Sequence, residues 1–125
     1  MRTWNFGIVG AGNIADFHAK AIQRLGNSRL AGICGTNAKK VKSLADKYAC
    51  MIFNNTTEMM QSSMVDIVVI ATPSGAHFEP ALEAAEHGKH VICEKPLEVT
   101  LERIDKMIAA HEKHGTRIGG IFNYR

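Results

Sequence analysis

The sequence of 125 residues contains no long apolar run, and none of its apolar segments approaches the roughly 20 residues that a membrane-spanning helix requires. We therefore expect no membrane contact. Fifteen Lys and Arg stand against 12 Asp and Glu, which gives a net charge of only +3. The basic residues are scattered rather than gathered in a stripe, which argues against a nucleic-acid partner. The N-terminal residues lead straight into a strand pattern, so we expect no signal peptide and a cytoplasmic location.

Cysteine is also scarce. Cys34, Cys50 and Cys93 are odd in number, far apart and set in apolar surroundings. This pattern predicts buried thiols in a reducing compartment rather than a disulfide framework. The sequence has neither a Gly-x-Ser-x-Gly motif nor a Walker-type loop, so serine hydrolysis and P-loop nucleotide hydrolysis lack their essential residues.

Two histidine pairs have a spacing that can suggest a metal site. His87 and His90 lie on either side of a predicted helix end, so they do not share a helix face. His111 and His114 lie in the last turn of another predicted helix, where polar or positive side chains suit the helix dipole. We therefore predict no metal site.

Strand and helix patterns alternate from one end of the sequence to the other. The predicted strands are 5–9, 29–34, 51–53, 66–71, 90–93 and 117–122. The predicted helices are 13–25, 38–47, a brief helix ending at 61, 76–87 and 100–114. Six strands joined by crossover helices predict an α/β fold with a doubly wound, mostly parallel Rossmann sheet in the order 3-2-1-4-5-6. The unbroken β-branched run in 66–71 is typical of a central strand that is buried on both faces.

Helical spacing also predicts which faces are buried and which residues cap the helices. The first helix is expected to bury the apolar residues Ile14, Phe17, Ala21, Ile22 and Leu25. The second helix is expected to bury Val41, Leu44 and Tyr48. Asn37 is the predicted cap of the second helix, and Thr56 or Thr57 that of the third.

The turn after the first strand carries a glycine motif, Gly10-x-Gly12-x-x-Ala15. Gly10 permits a tight turn, Gly12 allows the main chain to approach a ligand closely, and Ala15 lets the helix pack on the strand. The free N–H groups of the following helix, which begins with Asn13 and Ile14, face an anion. Because the motif stands between a strand and a helix, it predicts a dinucleotide site.

Two further loops are expected on the same rim, because parallel strands end together at one edge of the sheet. The fourth strand ends in Ala71-Thr72-Pro73-Ser74. The fifth strand is followed by Glu94-Lys95-Pro96. The carboxyl ends of strands 1 and 4, where the strand order reverses, are the predicted ligand crevice.

These motifs together resemble the family of glucose-fructose oxidoreductase, inositol dehydrogenase and MocA. The matching stretches are 10–15, 71–77, 88–97 and 120–125, so the resemblance extends over the whole chain. It implies an oxidoreductase that depends on a nicotinamide cofactor and acts on a sugar, a cyclitol or a related hydroxyl or carbonyl compound.

The resemblance also implies roles for single residues. Lys95 would lie beside the nicotinamide and the reacting hydroxyl, where an ammonium group can hydrogen-bond the oxygen that gains charge during hydride transfer. Glu94 would hold ribose hydroxyls of the cofactor or orient Lys95. The alternative for Lys95 is a solvated lysine on a turn.

Five other residues would bind the cofactor according to the same resemblance. Thr72 and Pro73 would line the path of the diphosphate or the nicotinamide ribose, with the neighbouring Ala71 on the same rim. Asn123 would reach the nicotinamide end. His77 would lie near the cofactor, and its alternative role is to cap backbone groups at the start of a helix.

The end of the second strand departs from the usual NAD pattern. NAD recognition places an Asp or Glu there, but the sequence has no acidic residue between Asp16 and Asp46. Gly35 occupies the position of the acid, which removes a charge that would repel a 2′-phosphate.

The residues that follow Gly35 suit a phosphate. Thr36 and Asn37 can donate hydrogen bonds, and Lys39 or Lys40 can supply positive charge. We therefore predict NADP in preference to NAD. The alternative is that both lysines simply face solvent.

A dinucleotide-binding domain has no substrate pocket of its own. We therefore expect 1–125 to be an NAD(P)-binding domain, and we expect the substrate-binding and catalytic α/β domain to lie outside this chain. The whole enzyme would act on a small-molecule substrate, and it could form a homo-oligomer. The alternative is a module that senses NAD(P) or mediates an interaction without turnover. The fragment by itself is expected to bind cofactor and to be inactive.

Overall fold

The computed structural model describes residues 3–72, 78–94 and 101–121. The strands are β1 (Trp4–Val9), β2 (Ser28–Cys34), β3 (Met51–Ile52), β4 (Ile67–Ile70), β5 (His90–Glu94) and β6 (Ile118–Ile121). The helices are α1 (Asn13–Arg24), α2 (Ala38–Tyr48), α3 (Thr56–Gln61), α4 (Phe78–Glu86) and α5 (Leu101–His114). In these ranges no helix is both long and apolar enough to cross a membrane.

The six strands form one sheet in the order β3-β2-β1-β4-β5-β6, and every neighbouring pair is parallel. The predicted fold class and strand order are therefore confirmed. The predicted strand bounds differ from the observed ones by at most one residue at each end. Residues 76–77, Thr100 and Phe122, which the sequence assigned to elements, lie outside the described residues.

The central strand β4 separates two apolar clusters. Val68 and Ile70 pack with residues of α3, α4 and α5 on one face of the sheet. Val69 points to the other face and packs with residues of α1 and α2. All three side chains are at most 2% exposed, so the prediction of a strand buried on both faces is confirmed.

The buried face of α1 differs from the predicted one. The residues that α1 buries are Ala15, His18, Ala19 and Ile22. The predicted residues Ile14, Phe17, Ala21 and Leu25 are exposed, with Phe17 at 66%, so only Ile22 was correctly assigned. The physical reason is that Ala15 and Ala19, both 0% exposed, let the helix lie close to the sheet, whereas the larger side chains turn to its outer side.

The predicted N-cap is correct for α2 and wrong for α3. α2 buries the predicted Val41, Leu44 and Tyr48, together with Ala45. Asn37 caps α2 as predicted, because its side chain accepts a hydrogen bond from the N–H of Lys40 at 3.1 Å. The cap of α3 is Asn55, which accepts from the N–H of Glu58 at 2.8 Å. The prediction of Thr56 or Thr57 was wrong because both lie inside the helix.

Cys34, Cys50 and Cys93 are thiols that form no disulfide with one another. Cys34 and Cys93 are buried as predicted, and Cys50 is half-buried. Burial raises the pKa of the Cys34 and Cys50 thiols above the ordinary value, which keeps them protonated and unreactive at neutral pH.

His111 lies in the core rather than at an exposed helix end. Its Nδ1 is 2.7 Å from Thr116 Oγ1, and its Nε2 is 3.0 Å from the carbonyl oxygen of Ala81. Burial is the main reason that the pKa of His111 is lowered, so the ring links α5 to α4 as a neutral group rather than complementing the helix dipole as a cation. Within the described ranges, no three potential metal-ligand side chains come together.

Candidate cofactor site

The register of the sheet aligns the carboxyl ends of four strands. Val9 pairs with Cys34 on one side and with Ile70 on the other, and Ile70 pairs with Cys93. The residues that follow this row are Gly35, Gly10, Ala71 and Glu94. Neighbouring strands lie about 4.8 Å apart, so these four positions share one edge over about 14 Å. The sequence placed its predicted site residues at this edge, and the register brings these four strand ends together.

Gly10 is required by the fold itself. Its φ is +119°, a conformation that residues with a side chain rarely adopt. A Cβ at this position would lie 2.7 Å from the carbonyl oxygen of Ala71. Backbone hydrogen bonds hold both sides of the turn, from Gly10 N to Cys34 O and from Ala71 N to Val9 O, each 2.8 Å. The first glycine of the motif therefore allows β1 to turn against the end of β4.

Gly12 is not required by the fold. Its φ is −87°, and a Cβ there would meet no atom within 4 Å among the described residues. The residue occupies the N-cap of α1, where it makes no side-chain hydrogen bond to the first turn. By contrast, α2 and α3 are capped by Asn37 and Asn55. Among the described residues, therefore, no side chain caps the first N–H groups of α1, at Asn13 and the residues after it, and this arrangement suits an anion.

The end of β2 carries no acid, as the sequence indicated. Gly35 is exposed, and a Cβ on it would lie 3.1 Å from Val41 Cγ2 and 3.4 Å from Ala11 Cβ. Thr36, Asn37, Lys39 and Lys40 are all exposed in the turn and the first turn of α2. This surface has hydrogen-bond donors and two cations, and no carboxylate follows Gly35 until Asp46.

The remaining predicted residues are described only in part. Thr72 is half-buried next to Ala71 on the rim. Glu94 is the last residue of β5 and pairs with Ile121, but its side chain is outside what the structure describes. Pro73, His77, Lys95 and Asn123 lie outside the described residues. Ile14 and Asn13 are exposed at the start of α1.

The sequence analysis missed one polar cluster near this edge. Tyr48 Oη donates a hydrogen bond to Asp16 Oδ1, and Lys47 Nζ lies 3.0 Å from the same oxygen. The Lys47 ammonium also lies 5.3 Å from the centroid of the Tyr48 ring. Tyr48 and then Lys47 are the main causes of the lowered pKa of Asp16, which is therefore ionised at neutral pH. The partners are more than 30 residues apart, so no local pattern could reveal them.

Several known proteins with similar sequences are dehydrogenases. Glucose-6-phosphate 3-dehydrogenase of Bacillus subtilis is 35% identical over 119 residues, 95% of this chain and 33% of its own length. Inositol 2-dehydrogenase of Rhizobium meliloti is 32% identical over 103 residues, 82% of this chain and 31% of its own length. The crystal structure of the WlbA dehydrogenase from Bordetella pertussis, in complex with NADH and UDP-GlcNAcA, superposes with a TM-score of 0.91 at 33% identity and covers 96% of this chain and 35% of that one.

These similarities share two properties. They extend over most of this chain, and the chain spans about a third of the length of the relatives it matches. The sequence model of the Gfo/Idh/MocA oxidoreductase family, NAD-binding Rossmann fold, matches residues 4–121. The chain therefore belongs to the Gfo/Idh/MocA oxidoreductase family, and its residues 4–121 correspond to the NAD-binding Rossmann domain of that family.

Proposed function

We propose that the carboxyl edge of β1, β2 and β4 binds the dinucleotide, with its pyrophosphate at the N-terminus of α1. One observation carries this proposal: in the part of the chain that the structure describes, no side chain caps α1 and no atom lies within 4 Å of a Cβ built on Gly12. In this arrangement the N–H groups of Asn13 and Ile14 donate to the anion, and the helix dipole favours its charge. Ala71 and Thr72 on the neighbouring strand end line the same crevice.

The proposed cofactor is NADP rather than NAD. Gly35 leaves the end of β2 without the carboxylate that would bind the ribose hydroxyls of NAD and repel a 2′-phosphate. Thr36 and Asn37 can donate hydrogen bonds to this phosphate, and the Asn37 amide N–H₂ remains available because the cap uses its oxygen. Lys39 in the first turn of α2 supplies positive charge.

We propose that the chain is the cofactor-binding part of a longer oxidoreductase. The cofactor supplies hydride chemistry at its nicotinamide ring. Lys95 would hydrogen-bond the substrate oxygen that gains or loses charge, with Glu94 orienting it or holding cofactor ribose hydroxyls. Pro73, His77 and Asn123 would complete the nicotinamide end. These five roles follow from the resemblance of the motifs.

The substrate would be a sugar, a cyclitol or a related hydroxyl or carbonyl compound, bound with the help of a second α/β domain. Two of the relatives, glucose-6-phosphate 3-dehydrogenase and inositol 2-dehydrogenase, support this class by their names. They also support an enzyme over a module that only senses the dinucleotide. A cytoplasmic location completes the proposal, which is compatible with a homo-oligomer.

Calorimetric titration of the 125-residue chain with NADPH and with NADH, at one salt concentration, tests the cofactor assignment. We expect tighter binding of NADPH, and we expect the paired change Lys39→Glu/Lys40→Glu to remove the preference. Lys42→Glu is the control, because it alters the charge of the same helix at an exposed side chain that pairs with Asp46 instead. Tighter binding of NADH would contradict the NADP assignment, and binding of neither would contradict the cofactor site itself.

A further inference from the structure

Asp16 places a negative charge beside the proposed anion site. It lies in the first turn of α1, and its N–H donates to the carbonyl oxygen of Gly12 at 3.1 Å. The separation along the helix axis from Gly12 is about one turn, roughly 5–6 Å. An acid at this position stabilises the empty helix through the helix dipole, but it repels an anion that binds to the same N–H groups.

Two side chains from the end of α2 meet this carboxylate. The main-chain carbonyl oxygen of Tyr48 accepts a hydrogen bond from Gln23 Nε2 at 3.0 Å, in the last turn of α1. The Tyr48 side chain then extends along α1 to Asp16, where its hydroxyl donates to the carboxylate. Lys47 brings its ammonium to the same oxygen. Tyr48 thus connects α2 to α1 through both its main-chain carbonyl group and its side-chain hydroxyl. Lys47 adds a positive charge beside the negative charge of Asp16.

We propose that Lys47, with Tyr48 as its support, neutralises Asp16 and thereby sets the affinity of the α1 N-terminus for the dinucleotide. These residues do not touch the cofactor, so Lys47 and Tyr48 are positioning residues that act through Asp16. The inference rests on the proposed function, because it requires the pyrophosphate to bind at α1.

The charge mechanism makes a prediction that a purely structural clamp does not. Lys47→Gln exposes the charge of Asp16 and weakens dinucleotide binding by about two- to fourfold, as expected for a unit charge roughly 10 Å away near the protein surface. Asp16→Asn keeps an oxygen that can accept from Tyr48 but removes the repulsion, so binding tightens by a similar factor. If the contacts of Asp16 with Lys47 and Tyr48 only held α1 against α2, both substitutions would weaken binding.

The test measures dissociation constants of NADPH and NADH for the 125-residue chain at low and at high ionic strength. The variants are Lys47→Gln, Asp16→Asn, both together, and the control Lys42→Gln. The control removes the same charge from an exposed ion pair on the same helix, between Lys42 and Asp46 at 3.2 Å. Thermal unfolding of each variant establishes that it is folded.

We expect opposite shifts for Lys47→Gln and Asp16→Asn that diminish at high ionic strength. We also expect Lys47→Gln to lose most of its unfavourable effect when Asp16→Asn is already present. If the wild-type chain binds a dinucleotide but both single variants weaken it, or Lys47→Gln acts no more strongly than Lys42→Gln, the inference is overturned alone. If the wild-type chain binds neither dinucleotide, the proposed function fails and the inference fails with it.

Discussion

The two glycines of the turn after β1 have separable tasks, and substituting each by alanine tests this directly. At Gly10 an added Cβ meets the Ala71 carbonyl oxygen at 2.7 Å and its carbonyl carbon at 2.9 Å. Both atoms belong to the backbone at the end of β4, so neither can swing aside as a flexible side chain would. At Gly12 an added Cβ meets no described atom within 4 Å.

The two substitutions therefore differ in their expected cost. Gly10→Ala carries the strain of a φ of +119° and the contact with Ala71, which together cost about 2–4 kcal/mol of unfolding free energy. For a chain of this size the loss lowers Tm by roughly 6–16 °C. Gly12→Ala keeps an ordinary φ of −87°, and exchanging Gly for Ala at an N-cap costs less than about 1 kcal/mol. Its methyl group instead occupies the space through which the anion approaches.

Urea unfolding and calorimetric titration with NADPH measure the two effects on the same preparations. We expect Gly10→Ala to lose stability and Gly12→Ala to keep its stability while losing at least about tenfold in affinity, because the methyl group displaces the pyrophosphate from the N–H groups. Wild-type stability of Gly10→Ala would refute the tight-turn argument. Unchanged NADPH affinity of Gly12→Ala would refute the placement of the anion at α1.

Two further predictions concern packing and pH. Ile22→Ala is expected to lower the unfolding free energy, measured in urea, by about 2–4 kcal/mol because the Ile22 side chain is only 5% exposed. Phe17→Ala is expected to lower it by less than about 1 kcal/mol because Phe17 is 66% exposed. The reverse order would contradict the observed rotation of α1. The lowered pKa of His111 means that the unfolded chain takes up a proton that the folded chain refuses, so unfolding free energy should fall as pH drops below about 6.5. His111→Gln should reduce this slope between pH 8 and the folded-state pKa, and an unchanged slope would show that His111 is not its source.

The strand order and the placement of the glycine turn could be predicted from the sequence. The β-branched run of β4, the alternation of elements and the breaks between them are local properties, and they restrict a parallel sheet to few topologies. The glycine motif and the missing acid after β2 are local as well. These local features are sufficient to place Gly10, Gly35 and Ala71 at one edge of the sheet.

The rotation of α1 could not be predicted from the same information. Ile14, Phe17 and Leu25 have helical spacing and are more hydrophobic than Ala15 and Ala19, so periodicity favoured the wrong face. The small residues are buried because α1 lies close to the sheet after the tight turn at Gly10, and that turn lies against Ala71 at the end of β4. The wrong prediction of the α3 cap was a smaller error. Asn55, Thr56 and Thr57 are consecutive and each residue type can cap a helix, so the sequence did not decide among them.

The sequence by itself determined the fold class, the strand order and the edge at which we propose the dinucleotide site, because each depends on residues that are neighbours along the chain. The tertiary structure decided which side of α1 faces the core, which glycine the fold requires, and that Asp16 meets Lys47 and Tyr48. Each of these depends on atoms that approach only when distant segments pack together. A Cβ on Gly10 would be too close to Ala71, and Lys47 pairs with Asp16 although they are 31 residues apart. Both facts depend on distances in space, which the order of residues does not contain.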